Sequence, residues 1–324
     1  MKAIVYDHYG PPDVLQYQEI EKPTPADNQV LIQVHAASVN PYDWHFIRGK
    51  PSLMRLFTGL RAPKSKHVGA DVAGTVESTG PNVAGLKPGD EVFGTATGAF
   101  AEFACALESK LALKPAKITW QQAASVPIAG ITALQGLRNK GGVQPGQHVL
   151  INGAAGGVGT FAVQIAKSLG ARVTAVCSTR NIELVRSIGA DETIDYTREN
   201  FVQAAERYDL LFDLVGNHPL SASLRVLHPK GTYIGCGGGG PDRPTTDLLA
   251  GMLQALVMAP FISQKMPGLF ANVNTPDLAF LANLMREGKI VPVIDRTYPL
   301  SETAAAVAYV EQCHARGKVV LTIS

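Results

Sequence analysis

His148-Val149-Leu150-Ile151-Asn152-Gly153-Ala154-Ala155-Gly156-Gly157-Val158-Gly159 is the stretch that decides the fold. Val149-Leu150-Ile151 reads as a buried strand, and Gly157 to Leu169 as a helix closed by Gly170. Between them lies a turn of small residues. Small side chains let the backbone approach a pyrophosphate, and a helix amino terminus offers unpaired N–H groups and a partial positive charge. Strand, glycine turn and helix, in that order, are the context a dinucleotide-binding fingerprint requires. Against GxGxxG the match is Ala154-x-Gly156-x-x-Gly159, with alanine replacing the first glycine. Ala155, Gly156, Gly157 and Val158 are the candidate phosphate contacts.

Working outward, β and α signals alternate. Strands are expected at Arg172–Cys177, Thr193-Ile194, Tyr208–Leu214 and Gly231–Gly235, with helices at Asn181–Ile188 and Pro219–Leu227. That alternation predicts an α/β architecture with a doubly wound parallel sheet. The strand ending at Cys177 lacks the Asp or Glu that would bind a ribose 2′-hydroxyl. Ser178-Thr179-Arg180 follows instead. A hydroxyl and a permanent cation suit a 2′-phosphate, so Ser178 and Arg180 favour NADP(H) over NAD. Tyr196, after Ile194-Asp195, is a further candidate near the adenosine phosphate.

The first third has a different texture. Val30–Ala37, Val72–Ser78, Val92-Phe93-Gly94 and Ala99–Ala106 read as short strands, punctuated by turns such as Pro88-Gly89-Asp90-Glu91. Trp120–Leu137 reads as helical, with Thr119 as its cap and Pro127 as a break. Asp277–Glu287 is a helix stopped by Gly288, and Gly317–Ile323 a strand expected to return to the first domain. The division expected is a mostly β domain over 1–124, completed by 288–324, and a nucleotide-binding domain over 125–287. No internal repeat is visible.

The 324 residues are 46% hydrophobic and 17% charged, which suits two buried cores, and the net charge of +2 gives no reason to expect nucleic acid. Basic residues are scattered rather than in runs. Cys105, Cys177, Cys236 and Cys313 stand singly, without a disulfide framework or zinc-knuckle spacing. The amino terminus has no apolar signal run, so a cytoplasmic location is expected. Asp247–Met258 is strongly apolar but too short for a membrane span. It reads as a buried or interface helix, with membrane contact as the alternative, and with Gly231–Gly235 it makes a homodimer plausible.

These segments together resemble the zinc-independent quinone oxidoreductase branch of the medium-chain dehydrogenases/reductases. The resemblance runs through Ser38-Val39-Asn40-Pro41-Tyr42-Asp43, Gly69-Ala70-Asp71-Val72-Ala73-Gly74-Thr75-Val76, Pro88–Gly94, Gly98–Glu102, Ala154–Gly159 and Ser187–Asp191. It implies a GroES-like catalytic domain joined to a Rossmann domain. Zinc members place a Cys in the active-site loop and a His-Glu pair after the glycine that matches Gly69. Here those positions hold Asn40, Ala70 and Asp71, so no metal is expected.

Without a Lewis acid, unactivated alcohols are poor substrates, whereas quinones and α,β-unsaturated carbonyls accept hydride directly. The resemblance therefore implies hydride transfer from NADPH to a small hydrophobic electrophile. It places Asn40, Tyr42 and Asp43 near the reacting atoms. Asn40 would orient a carbonyl or the nicotinamide ribose, Tyr42 would donate a hydrogen bond or a proton, and Asp43 would hold the loop. It adds Thr132, Gly216, Gly235 and Gly237 to the cofactor pocket, with Gly317 and Lys318 closing over it. The run from Gly237 to Gly240 is a candidate hinge, and Gly237–Phe270 would shape the acceptor pocket. The alternative is an NADPH-bound binding or structural protein with little turnover. A relative of the enoyl reductase domains is a third reading.

Overall fold

The computed structural model describes residues 1–237, 258 and 262–323. The expected hinge beyond Gly237, most of the acceptor-pocket segment and the Asp247–Met258 helix lie outside the described residues, Met258 excepted. Two compact units are present: Met1–Ile131 with Asn272–Ser324, and Thr132–Ala271.

The first unit opens with an antiparallel pair, β1 (Lys2–Val5) and β2 (Gln16–Glu19). The long strand β3 (Gln29–Val39) leads into helix α1 (Pro41–Arg48), which has Pro at its first position and Gly49 at its left-handed carboxyl cap. A short helix α2 (Arg55–Thr58) precedes β4 (Asp71–Thr79), β5 (Glu91–Thr95), β6 (Phe103–Leu107) and β7 (Leu111–Leu113). Strand β6 starts later than its sequence suggests. The N–H groups of Ala99 and Phe100 are instead bonded to the carbonyls of Gly69 and Val68. Pro127 does break the following helix, into α3 (Trp120–Ala124) and α4 (Pro127–Leu134).

The second unit holds β8 (His148–Asn152), α5 (Gly157–Ser168), β9 (Arg172–Cys177), α6 (Ile182–Ser187), β10 (Glu192–Asp195), β11 (Tyr208–Asp213), α7 (Leu220–Arg225) and β12 (Leu227–Gly235). All five strands are parallel, in the order β10-β9-β8-β11-β12. This is the doubly wound pattern, in which ligands collect at the carboxyl ends of the strands. Every residue of β8 is buried, as a strand covered on both faces requires. Leu150, Val176, Leu211, Tyr208 and Val226 pack together beside it. Along the outer edge of β12, Lys265 exchanges backbone hydrogen bonds with Gly231 and Tyr233. That portion of the edge is therefore already paired.

The chain then returns to the first unit as α8 (Thr275–Arg286), β13 (Ile294–Pro299), α9 (Thr303–Glu311) and β14 (Lys318–Thr322). Helix α8 was expected to close the nucleotide domain, but it belongs to the first unit. The Lys110 ammonium bonds Asn272 Oδ1 and the Val273 carbonyl, both at 2.7 Å, and Thr275 Oγ1 bonds the Glu108 carbonyl. Strand β14 does return as expected, pairing antiparallel with β3. It completes a seven-stranded sheet around Ile32, Trp44, Ile47, Val72, Phe100 and Leu321. No helix among the described residues is long and apolar enough to cross a membrane.

Candidate functional site

In the first unit, period-2 alternation puts Ser38 and the following Asn40 on one side of the chain as β3 ends. Register pairing sets Ser38 opposite Asp71. Ser38 Oγ donates to Asp71 Oδ2 at 2.8 Å, and Asn40 Nδ2 donates to the same oxygen at 2.9 Å and to the Ser38 carbonyl at 3.2 Å. Asp71 Oδ1 accepts the Ile128 N–H at 3.0 Å, in the first turn of α4. The Lys318 ammonium, delivered by β14, donates to Asn40 Oδ1 at 2.5 Å and stands 3.6 Å from Asp71 Oδ2. Asp43 Oδ2 accepts the Asn40 N–H at 2.7 Å.

Ser38, Asn40, Asp43, Asp71 and Lys318 are all buried. Burial disfavours each charged form. It pushes the Asp43 carboxyl up to about 7 and raises Asp71, while it draws the Lys318 ammonium downward. The Lys318 charge opposes the shift on both acids. Both amide hydrogens of Asn40 are used inside the network, which leaves only acceptor capacity on Oδ1. Tyr42 is different. It is 49% exposed, its ring lies 4.4 Å from that of Phe46, and partial burial beside Asp43 raises its phenol above the usual 10. Its hydroxyl therefore keeps its proton at neutral pH and can donate.

In the second unit the chain leaves β8 through Gly153, at φ +86°, so the tight turn falls one residue before the alanine that replaced the first motif glycine. Gly156 caps α5 without any side-chain acceptor. The N–H groups of Gly157, Val158 and Gly159 are thus left without intrahelical partners. A side chain at Gly159 would meet the Gly153 carbonyl oxygen at 2.1 Å, so only glycine lets the helix start this close to the turn.

Beyond β9, Asn181 Nδ2 donates to Ser178 Oγ at 3.2 Å, which leaves the Ser178 hydroxyl hydrogen available. Asn181 Oδ1 is buried and has no partner. Arg180 is exposed in the following turn. Asp195, paired in register with Cys177, does place a carboxylate near this strand end. It is occupied by the hydroxyls of Thr179 (2.5 Å) and Thr197 (2.7 Å), which hold its pKa below the usual carboxylate range. Tyr196, 57% exposed, lines a cleft of about 380 Å³ with Asn152, Val176, Asn217 and His218.

The structure therefore gathers the expected residues in two groups. Ala155 to Val158, Ser178, Arg180, Tyr196, Gly216, Gly235 and Gly237 lie at or just beyond the carboxyl ends of the parallel strands. Thr132 is buried within α4. Asn40, Asp43 and Lys318 share the buried network in the first unit. Gly317, at φ +97°, turns the chain into β14. The Lys318 ammonium, expected to close over the cofactor, is hydrogen-bonded to Asn40 and ion-paired with Asp71.

Family models extend across both units. Residues 26–116 match the alcohol dehydrogenase GroES-like domain, and residues 188–321 match a domain described as zinc-binding dehydrogenase. The chain is 34% identical to a chloroplast envelope quinone oxidoreductase homolog of Arabidopsis thaliana, covering 99% of this chain and 98% of the relative. It is 35% identical to the chloroplastic NADPH-dependent alkenal/one oxidoreductase of the same plant, covering 99% and 79%. The quinone oxidoreductase of Coxiella burnetii superposes with a TM-score of 0.86 at 34% identity, over 100% and 99% of the two chains.

This chain belongs to the medium-chain dehydrogenase/reductase superfamily, in its zinc-independent quinone oxidoreductase branch. As a medium-chain reductase it has a GroES-like domain and a Rossmann-type domain. Its Asn40, Ala70 and Asp71 do not fit a catalytic zinc. They offer neither thiolate nor imidazole, and a built-in ammonium already neutralises Asp71. Among the described residues one other group, His148, Glu192 and Glu206, brings three possible ligand atoms within 4.8 Å. Arg172 is ion-paired to both carboxylates there, and His148 Nε2 is hydrogen-bonded to Thr174 Oγ1. That group lies at the amino ends of β8 and β10, the end of the sheet away from the glycine turn.

The network partners Ser38 and Asp71 were not anticipated as site residues. Their sign in the sequence is a polar residue between small or apolar neighbours, in Ala37-Ser38-Val39 and Ala70-Asp71-Val72. Asp195 carries no local signal, because its partner Thr179 comes from the turn after the neighbouring strand, whereas Asn181 meets Ser178 within its own turn, three residues away.

Proposed function

We propose that this protein transfers hydride from NADPH to a quinone or an α,β-unsaturated carbonyl. The observation that carries the reading is the Lys318–Asn40–Asp71 network. It fills the ground where zinc relatives carry metal ligands, so the acceptor must already be electrophilic.

The residues present suit NADP(H). The uncapped start of α5 would hold the pyrophosphate through the N–H groups of Gly157 and Val158, with Ala155 and Gly156 in close approach. The Ser178 hydroxyl and the Arg180 guanidinium would take the 2′-phosphate, beside Tyr196. Thr132, Gly216, Gly235, Gly237 and Gly317 would complete the surroundings. When bound, the cofactor supplies the hydride.

The chain's own groups then divide the work. Asn40 has only an acceptor left, so it orients a hydroxyl such as that of the nicotinamide ribose rather than donating to the acceptor carbonyl. Tyr42 donates a hydrogen bond, or its proton, to the oxygen that gains charge. Asp43 and Lys318 act at one remove by fixing Asn40. The protein is further proposed to work in a reducing, cytoplasmic compartment, in keeping with its four free cysteines, and as a homodimer.

The test is NADPH oxidation by chelator-treated protein across quinones, enals and enones. Turnover of at least one class is expected. NADPH binding without any turnover would overturn the reading in favour of a binding role.

A further inference from the structure

The chain from Ser52 to Thr58 folds as a short 3-10 turn (Ser52–Met54) running into α2. Leu53 and, three and four residues on, Leu56 and Phe57 have the spacing of one helical face, and Leu60 follows just beyond the helix end at Gly59. All four side chains point outward: they are 56%, 56%, 78% and 67% exposed. The polar side is the one that packs inward. Arg55 lies over the Tyr9 ring and bonds the carbonyls of Arg48 and Gly49. Thr58 Oγ1 and the Gly59 carbonyl meet the Tyr9 hydroxyl at 2.9 and 2.8 Å. The element is amphipathic, but mounted with its apolar face to solvent.

The charge along this stretch of chain is one-sided, although Asp7 from the start of the chain lies near Lys66. Between Trp44 and Ala70 stand Arg48, Lys50, Arg55, Arg61, Lys64 and Lys66, with no Asp or Glu. Arg48 is consumed by Glu311, and Arg55 is held beneath the helix. Arg61, Lys64 and Lys66 are exposed immediately after the apolar face. An exposed apolar patch bordered by cations matches an anionic lipid surface, where apolar side chains enter the headgroup boundary and cations meet the headgroups. A second copy of this chain fits less well. A two-fold contact would set the same three cations against themselves, and four side chains are small beside the roughly 800 Å² per partner of a stable interface.

We propose that Leu53, Leu56, Phe57 and Leu60, with Arg61, Lys64 and Lys66, dock this protein peripherally on anionic bilayers. The docking is independent of the enzymatic reading. Its use would be access to apolar acceptors dissolved in the membrane.

The experiment is co-sedimentation of the full chain with phosphatidylcholine vesicles, with and without phosphatidylglycerol, over a salt series. Binding is expected only to the anionic vesicles, falling as salt rises. Phe57→Ser/Leu60→Ser should abolish it while leaving thermal stability and NADPH binding unchanged. Each of Arg61→Gln, Lys64→Gln and Lys66→Gln should weaken it by about fivefold. No binding to anionic vesicles, or binding that survives Phe57→Ser/Leu60→Ser, overturns the proposal. So does dissociation of a dimer by Phe57→Ser/Leu60→Ser, read by analytical ultracentrifugation, because it would make the face a contact between copies. NADPH turnover is not the readout, so the proposed reaction can fail without affecting this result.

Discussion

The Lys318 ammonium donates to Asn40 Oδ1 at 2.5 Å, tying the start of the last strand to the cap of α1 across 278 residues of chain. It is a buried cation whose partners are an amide and a carboxylate, both also buried. Removing one side of such a pair leaves the other charge uncompensated. Lys318→Met should therefore cost about 3–5 kcal/mol in urea unfolding. Adding Asp71→Asn should recover part of that loss, because the stranded carboxylate is then gone. A double-mutant cycle with additive effects would show that the two charges do not interact.

Asp43 gives the network a pH signature. Its folded pKa is raised to about 7 from 3.8, so the folded chain holds a proton that the unfolded chain has already lost between those values. The stabilisation is complete below pH 3.8 and is lost as pH rises toward 7. Asp43→Asn cannot ionise and keeps an oxygen for the Asn40 N–H. Stability of the native chain relative to Asp43→Asn should fall between pH 4 and 7, by about 4 kcal/mol at most, and then level off. Chemical denaturation of both proteins across that range measures the difference. A constant difference would place Asp43 as an ordinary ionised carboxylate.

Arg180 tests the nucleotide reading. A charge-assisted contact to a phosphate contributes about 1.5–3 kcal/mol. Arg180→Ala should raise the Kd for NADPH by about 10- to 100-fold and leave that for NADH within a few-fold. Fluorescence titration of both nucleotides decides it. Equal binding of the two by the unaltered protein would defeat the 2′-phosphate argument at once.

How much could be read from the chain alone differs between its halves, for a physical reason. The nucleotide half is built from local signals: an apolar strand, small residues at a turn, a helix that begins where the turn ends. Strand, turn and helix from His148 to Leu169 were legible because each depends on neighbours in sequence. The first unit depends on distant partners. Lys318 looked like a strand-start lysine free to reach a ligand, and nothing within five residues of it says that Asn40 and Asp71 take its charge. The same holds for α8, whose pattern reads as a helix but whose allegiance is set by Lys110, far earlier in the chain. The exposure of Leu53, Leu56, Phe57 and Leu60 was also invisible, since the apolar spacing of a buried helix and of an outward one is the same.

Two glycines of the phosphate turn should separate fold from binding. At Gly156 a methyl group would meet only the Gly153 carbonyl oxygen, at 3.5 Å, an ordinary contact. The backbone there, at φ −81°, is one that alanine adopts freely. Gly156→Ala should keep the native Tm within a degree or two, yet lose NADPH affinity, because the added carbon stands where the pyrophosphate must approach. At Gly159 the same methyl group would lie 2.1 Å from a backbone oxygen that cannot move without breaking the turn. Gly159→Ala should lower the Tm in the absence of any nucleotide, by several degrees or more, through overpacking that costs about 1–3 kcal/mol. Thermal unfolding of the two apo variants, followed by NADPH titration of whichever folds, gives the comparison. Equal destabilisation by both would mean that the turn is a packing device and that its openness at Gly156 serves no ligand.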